Sequence, residues 1–494
     1  VPLLHRARAV ALSAVLLTAG CLAATAPAGA DTVAPSRPCA QQGPTLRYLV
    51  LFDRGTQEPQ ADAEIAAACG STTVYYPQIA VAVATSPDPS FGDRIGADRA
   101  YSAQAESLSR NSDAPTRKKV DETEAAQFQP DGRDVPTADR SAEQWDMALI
   151  QADRAHQVNE GSRNVVVGVL DSGIDPTHPD LVAALDPALS AGCLTGKPDT
   201  AQQAWAPTTS PHGTHVAGIV AAADDGKGVT GVAPGVRIAS VKVVDDDGYI
   251  YPEYAVCGFM WAATNGMTVT NSSFFVDPWV FNCQSENGQQ VVHDAVRRAV
   301  DYATSRGVLN VAATTNNGVD LARPGRDTAS PDNAGPEALR PRPLTGACLV
   351  LPAQLRNVVA VSSVGARQVK AGYSSYGLGT VDVTAPGGDR RQQPFGSGQS
   401  CVLSTVPGGY GYYCGTSMAA PHVTGVAALL ASTHPHASPG QLLRLLNSQA
   451  DTLPCPSDYD LNGTGVQDAY CTGYSEYNGF YGHGLVNALA AVQN

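Results

Sequence analysis

From about residue 145 onward the chain alternates between two hydrophobic periods. Five short runs are almost continuously apolar and rich in β-branched residues: NVVVGVL (164–170), VRIASVKVV (236–244), MTVTNSSF (267–274), GVLNVAAT (307–314) and NVVAVSSV (357–364). Stretches with helical spacing lie between or after them, near 212–223, 252–265, 289–306, 417–432 and 438–449. An unbroken apolar strand has no face to give to water, so such strands belong in a parallel sheet covered by helices on both sides. The expected fold is α/β, a three-layer domain with a mostly parallel sheet between helices. In a sheet of this kind the functional site lies beyond the carboxyl ends of the strands.

Upstream the pattern changes twice. Between 45 and about 95, RYLVLF and QIAVAVAT read as strands, with ADAEIAAACG between them as a helix ending on Gly70. From 100 to 143 the sequence is polar and charged with almost no apolar periodicity, the signature of a linker. The first thirty residues place Arg6 and Arg8 before an apolar stretch and then small residues ending Ala28-Gly29-Ala30, the order of a secretory signal peptide. That stretch is too short for a comfortable membrane span. LTAGC at 17–21 resembles a lipoprotein processing site, so lipidation at Cys21 is the alternative to free secretion and the one route to a stable membrane anchor. The chain thus divides into 1–30, a small α/β domain at 31–100, a linker at 101–143 and a main domain at 144–494. No internal repeat is evident.

Composition narrows the partners. A formal net charge of -14 argues against a polyanionic partner such as nucleic acid. Eleven cysteines are present, and ten remain once Cys21 leaves with the signal peptide. Two of these (Cys39, Cys69) lie early and eight after residue 150, so each part can close its own disulfides in an exported protein. The pairings Cys401 with Cys414 and Cys455 with Cys471 are expected from their small separations. No Cys-x-x-Cys spacing suggests zinc or redox chemistry.

Chemistry-bearing residues collect just past strand ends and at helix starts. Asp171 follows VVVGVL directly; alone, it could merely cap the next turn. His212 opens HGTHVAGIVAAA, where Gly213 and Gly218 permit close backbone packing. Asn316 and Asn317 follow VLNVAATT. Ser417 precedes the apolar run MAAPHVTGVAALL, where a serine is either a helix N-cap or a nucleophile favoured by the free N–H groups of the helix start. Carboxylate, imidazole, amide and hydroxyl on one sheet edge supply every part of assisted acyl transfer.

VLDSGID, HGTHVAGIVAA and GTSMAAPHVTGVAALL, in that chain order, resemble the three signature blocks of the subtilisin-like serine proteases. The resemblance runs from about 145 to YGHGLVNALAAV, similar to the family's closing helix. It implies a serine endopeptidase with Ser417 as nucleophile, His212 as general base and then acid, and Asp171 holding the imidazole tautomer. His215 would be structural. The oxyanion amide falls on Asn316, with Asn317 as the fallback, although Thr315 stands where the family usually has glycine. The substrate-binding strand falls on Ser273, Phe274 and Phe275, where the family's usual Ser-Leu-Gly-Gly is replaced by SSFFV. Phe275 and Val276 should put at least one large group against the cleft while the other turns into the core, making the enzyme selective.

The resemblance also implies that 31–100 is a propeptide, an intramolecular inhibitor joined by a linker that carries the maturation site, with Arg117, Lys118 and Lys119 exposed in it. THPDL and AAADDGKGV align with stretches that hold a structural calcium, which would make Asp180 and Asp225 its side-chain ligands; an ordinary polar turn is the alternative. The resulting reading is a secreted, monomeric zymogen acting on protein or peptide substrates without a catalytic cofactor. A dedicated leader-peptide protease is the near rival, since EQWDMALI is similar to subtilases of that kind. A catalytically dead, cleft-blocked binding protein is the rival from another class. An α/β-hydrolase is excluded because no Gly-x-Ser-x-Gly elbow surrounds Ser417.

Overall fold

The five apolar runs become neighbouring strands. In a computed structural model, the sheet order from edge to edge is Val383–Pro386, Val358–Val364, Leu309–Ala313, Val269–Ser272, Val166–Asp171, Arg237–Lys242 and Ala191–Gly192, every pair parallel. The two outermost strands are not evident in the hydrophobic pattern: one is two residues long, the other four. The structure describes residues 38–40, 43–110, 119, 124–126, 138–334, 339, 341–394 and 399–493, and everything that follows concerns these. The expected signal peptide, Cys21, Arg117 and Lys118 lie outside them. Residues 40–494 form one compact unit.

The sheet separates two cores because its strands alternate in side-chain direction. Val165, Val167 and Val169 face one core with helices His212–Ala221 and Thr416–Thr433. Val166 and Leu170 face the other with helices Pro252–Thr264 and Asn287–Ser305. These helices, with Pro439–Ser448 and Ala488–Gln493, meet the sequence expectation. Gly218 allows one of them to lie flat, since a Cβ there would sit 2.3 Å from the hydroxyls of Ser404 and Thr405. An antiparallel hairpin, Val402–Val406 with Gly409–Cys414, leads into the helix that carries Ser417.

The small upstream domain has a four-stranded antiparallel sheet in the order Ser71–Tyr76, Val81–Ser86, Leu46–Leu51, Ala100–Tyr101. Tyr48 and Val50 pack on its own helix Glu58–Ala67, while Leu49 and Leu51 join the core of the large domain beside helices Pro252–Thr264 and Asn287–Ser305. Helix Ala103–Arg110 carries this domain beyond residue 100, with Ala103 buried in the same shared core. Polar contacts reinforce the docking. The Arg298 guanidinium donates to the carbonyls of Phe52, Ile79 and Ala80, and Arg47 pairs with Glu253 at 3.6 Å.

Four disulfides close within the large domain: Cys193–Cys257, Cys283–Cys348, Cys401–Cys414 and Cys455–Cys471. Both expected pairings are among them. No helix among the described residues is long and apolar enough to cross a membrane.

Candidate active site

Strand order places the site. The chain runs from Val166–Asp171 outward to one side, then returns to lay Val269–Ser272 on the other, so the strand order reverses between these two parallel neighbours. Asp171 ends the first and Ser273 follows the second, at the crevice where open α/β sheets bind ligands. A cavity of about 300 Å³ opens there, and Asp171, His212, Ser273, Phe274, Phe275, Asn316 and Ser417 all line it.

Asp171 is almost fully buried, and its Oδ1 accepts from His212 Nδ1 at 2.7 Å and from the Ser172 amide at 2.7 Å. It therefore caps its turn and holds the imidazole at once. The contact requires helix His212–Ala221 to start against the Asp171 turn. Gly213 permits this: a Cβ there would lie 2.5 Å from the Gly173 carbonyl oxygen. Ser172, which sequence reasoning did not single out, ties the two segments by accepting from the Gly213 amide at 2.9 Å. His215 sits one turn-face away, buried against Tyr413 and bonded to the Gly411 carbonyl; burial pushes it down to about 3. It is a structural histidine, as expected.

Ser417 is the second residue of helix Thr416–Thr433, whose N-cap is Gly415. The capping alternative for Ser417 is thus not what the structure contains. Its hydroxyl donates to the Ser273 carbonyl at 3.2 Å, while the Ser273 hydroxyl donates to the Ser417 carbonyl at 2.8 Å. Asn271 donates to Ser273 Oγ at 2.9 Å and accepts from Thr424 at 2.9 Å, so a buried amide locks the serine turn onto the sheet. Nothing in the sequence distinguished Asn271 from an ordinary strand residue.

Asn316 is half-buried and Asn317 exposed. Asn316 Oδ1 accepts from the amide of Thr416 at 2.9 Å and from its hydroxyl at 2.8 Å, which commits the oxygen end and leaves the NH₂ end of that side chain as donor. Thr315 before it has φ 83°, a left-handed conformation that glycine adopts without cost. Threonine is held there by its hydroxyl against Ser375 Oγ at 2.9 Å and by its carbonyl accepting from the Ser375 amide. Phe275 lines the cavity, whereas Val276 is wholly buried in the core, the division that alternation predicts.

The residues expected to hold calcium are engaged by protein donors. Both oxygens of Asp180 accept from the Tyr410 hydroxyl at 3.0 Å, and Oδ2 also accepts from the Val229 amide. Burial pushes this carboxyl up, which favours its neutral form. Asp225 is exposed and caps the Lys227 amide in an ordinary turn. Two protein donors thus sit on Asp180, and a cation would have to share or displace them.

A family model described as the subtilase family matches residues 162–484. The chain belongs to the subtilase family. Subtilisin NAT of Bacillus subtilis subsp. natto is 32% identical over 350 residues, covering 71% of this chain and 71% of that protein. Fervidolysin of Fervidobacterium pennivorans is 31% identical over 385 residues, covering 72% of this chain but only 44% of its own length. Among solved structures, the epidermin leader peptide processing serine protease of Staphylococcus aureus superposes with a TM-score of 0.63 over 91% of this chain and 98% of its own, at 20% identity. At that identity the likeness concerns fold alone. Subtilase membership assigns the class, a serine-type endopeptidase.

Proposed function

We propose that this subtilase is made as a zymogen and cleaves peptide bonds through an acyl-enzyme on Ser417. The observation that carries the reading is the 2.7 Å hydrogen bond from His212 Nδ1 to buried Asp171, in the same cavity as the Ser417 hydroxyl. Asp171 fixes the tautomer in which Nε2 is the nitrogen that takes the serine proton, and its charge stabilises the imidazolium that results. The Ser417 oxygen then adds to the substrate carbonyl. The NH₂ of Asn316 and the Ser417 backbone N–H are the donors for the oxyanion. On collapse, His212 returns the proton to the leaving amine, and water completes hydrolysis by the same route.

Residues 43–110 act as the inhibitory propeptide in this reading, supported by their docking on helices Pro252–Thr264 and Asn287–Ser305. Linker residues held on the large domain also support it: the Lys119 amide, at the cleft, donates to the Asp247 carbonyl at 2.8 Å, and Glu124–Ala126 pairs with strand Gly409–Cys414. Export and disulfide formation belong to the same proposal. Fluorophosphonate labelling with peptide mapping tests it, together with Ser417→Ala. The label should fall on Ser417, and the alanine variant should persist as an unprocessed precursor with activity reduced by several orders of magnitude. In subtilisin itself, loss of the nucleophilic serine lowers kcat by ~10⁶. Label on another residue, or normal maturation of the alanine variant, would refute the assignment.

A further inference from the structure

Lys119 does more than pass the cleft. Its ammonium lies 2.6 Å from Asp277 Oδ1 and 3.4 Å from Asp332 Oδ2, and 3.8 Å from the centre of the Phe275 ring. Its amide pairs with the Asp247 carbonyl, and Gly248 leaves room for its stem, since a Cβ there would lie 3.2 Å from Lys119 Cβ. One linker residue therefore fills a complete binding site: a backbone acceptor, an aromatic floor and two carboxylates.

The carboxylates are built into the enzyme. The Asp277 side chain has no exposed surface, and its Oδ2 is fixed by the Ile250 amide at 2.6 Å. Asp332 comes from the long insertion after Asn316, anchored by its amide to the Pro278 carbonyl at 3.0 Å and by its carbonyl to the Tyr249 hydroxyl at 3.3 Å. Burial and the neighbouring Asp277 both push the Asp332 carboxyl well up. Two buried carboxylates sharing one pocket are costly without a cation between them, and a flat aromatic face beneath adds attraction for the same charge.

We infer that Asp277, Asp332 and Phe275 form a substrate subsite that selects a lysine or arginine side chain, a role that Lys119 fills in the uncut chain. Once the linker leaves, the vacated carboxylates favour substrates that bring a basic residue to this wall of the cleft, and exclude acidic ones. This inference rests on the peptidase reading above.

The test uses the matured enzyme on a mixed peptide library, with cleavage products read by mass spectrometry. Matched peptides differing only in lysine, norleucine or glutamate at the position so identified then give kcat/KM ratios. Wild type should prefer lysine to norleucine by tenfold or more. Asp332→Asn should cut that ratio by about tenfold, and Asp277→Asn should do the same; if the buried Asp277 variant fails to fold, Asp332→Asn carries the test. A lysine-to-norleucine ratio near one in wild type, with peptides still cleaved, overturns the subsite and leaves the peptidase intact. So does a ratio that Asp332→Asn leaves unchanged, which would confine the carboxylates to clamping the linker. An enzyme that cleaves no peptide at all overturns both readings.

Discussion

Single residues in this fold show how burial sets charge. Lys370 is almost fully buried, donating to the carbonyls of Ala371 and Ser374 among the rings of Tyr376, Tyr459 and Phe480. Desolvation pushes it down to about 7 from an ordinary value of 10.5. Between these values the unfolded chain holds a proton that the folded one has released, so stability rises with pH across that window. Lys370→Met lacks this contribution. Its Tm relative to wild type should therefore be most favourable near pH 7 and decline toward pH 10, and a flat difference would contradict the assignment. Asp180 gives a second case. Its oxygens already accept from Tyr410 and Val229, so Asp180→Asn should lower Tm equally with and without a chelator. A loss seen only in calcium would restore the cation. Asp171, His212 and Ser417 stood out in the sequence because motif and strand-end position coincide in them, and the fold gathers all three around one cavity. Asn271, Ser172 and Asp332 did not, because their roles depend on partners that only folding supplies.

Elements carry the next level. The hairpin Val402–Val406 and Gly409–Cys414 ends three residues before Ser417, and its strands are tied by Cys401–Cys414 with a separation of 13 residues. Closing a loop of that length restricts the unfolded chain by roughly 3 kcal/mol. Replacing both cysteines by alanine should lower stability by about that amount in denaturant titration, and a change under about 0.5 kcal/mol would show that the hairpin needs no tie. The long helices and central strands were legible because each repeats one hydrophobic period over many residues. This hairpin was not: its side chains alternate into a core made by distant segments, and its sequence reads as a loop. Strand Ser71–Tyr76 escaped for a similar reason, since only its last two residues are buried.

At the scale of the whole molecule, two cores share one sheet, and the second is completed from outside the large domain. Leu49, Leu51, Val81 and Val83 lie in the same apolar cluster as Phe259, Val292 and Val296. Strands Leu46–Leu51 and Val81–Ser86 and the helix Glu58–Ala67 between them were legible from their hydrophobic period. The shared core was not, because a strand's pattern does not say which neighbour its outer face will meet. A chain consisting of 144–494 should refold slowly from denaturant, and adding 38–110 as a separate polypeptide should raise the yield of active enzyme. Equal rates with and without the fragment would contradict this. The shared core then has a consequence for the enzyme's lifetime. If maturation removes the segment that helped form the second core, the finished molecule persists by the height of its barrier to opening rather than by the depth of its well. Such an enzyme is used once from each folding event, and its working life is a clock started by its own cleavage.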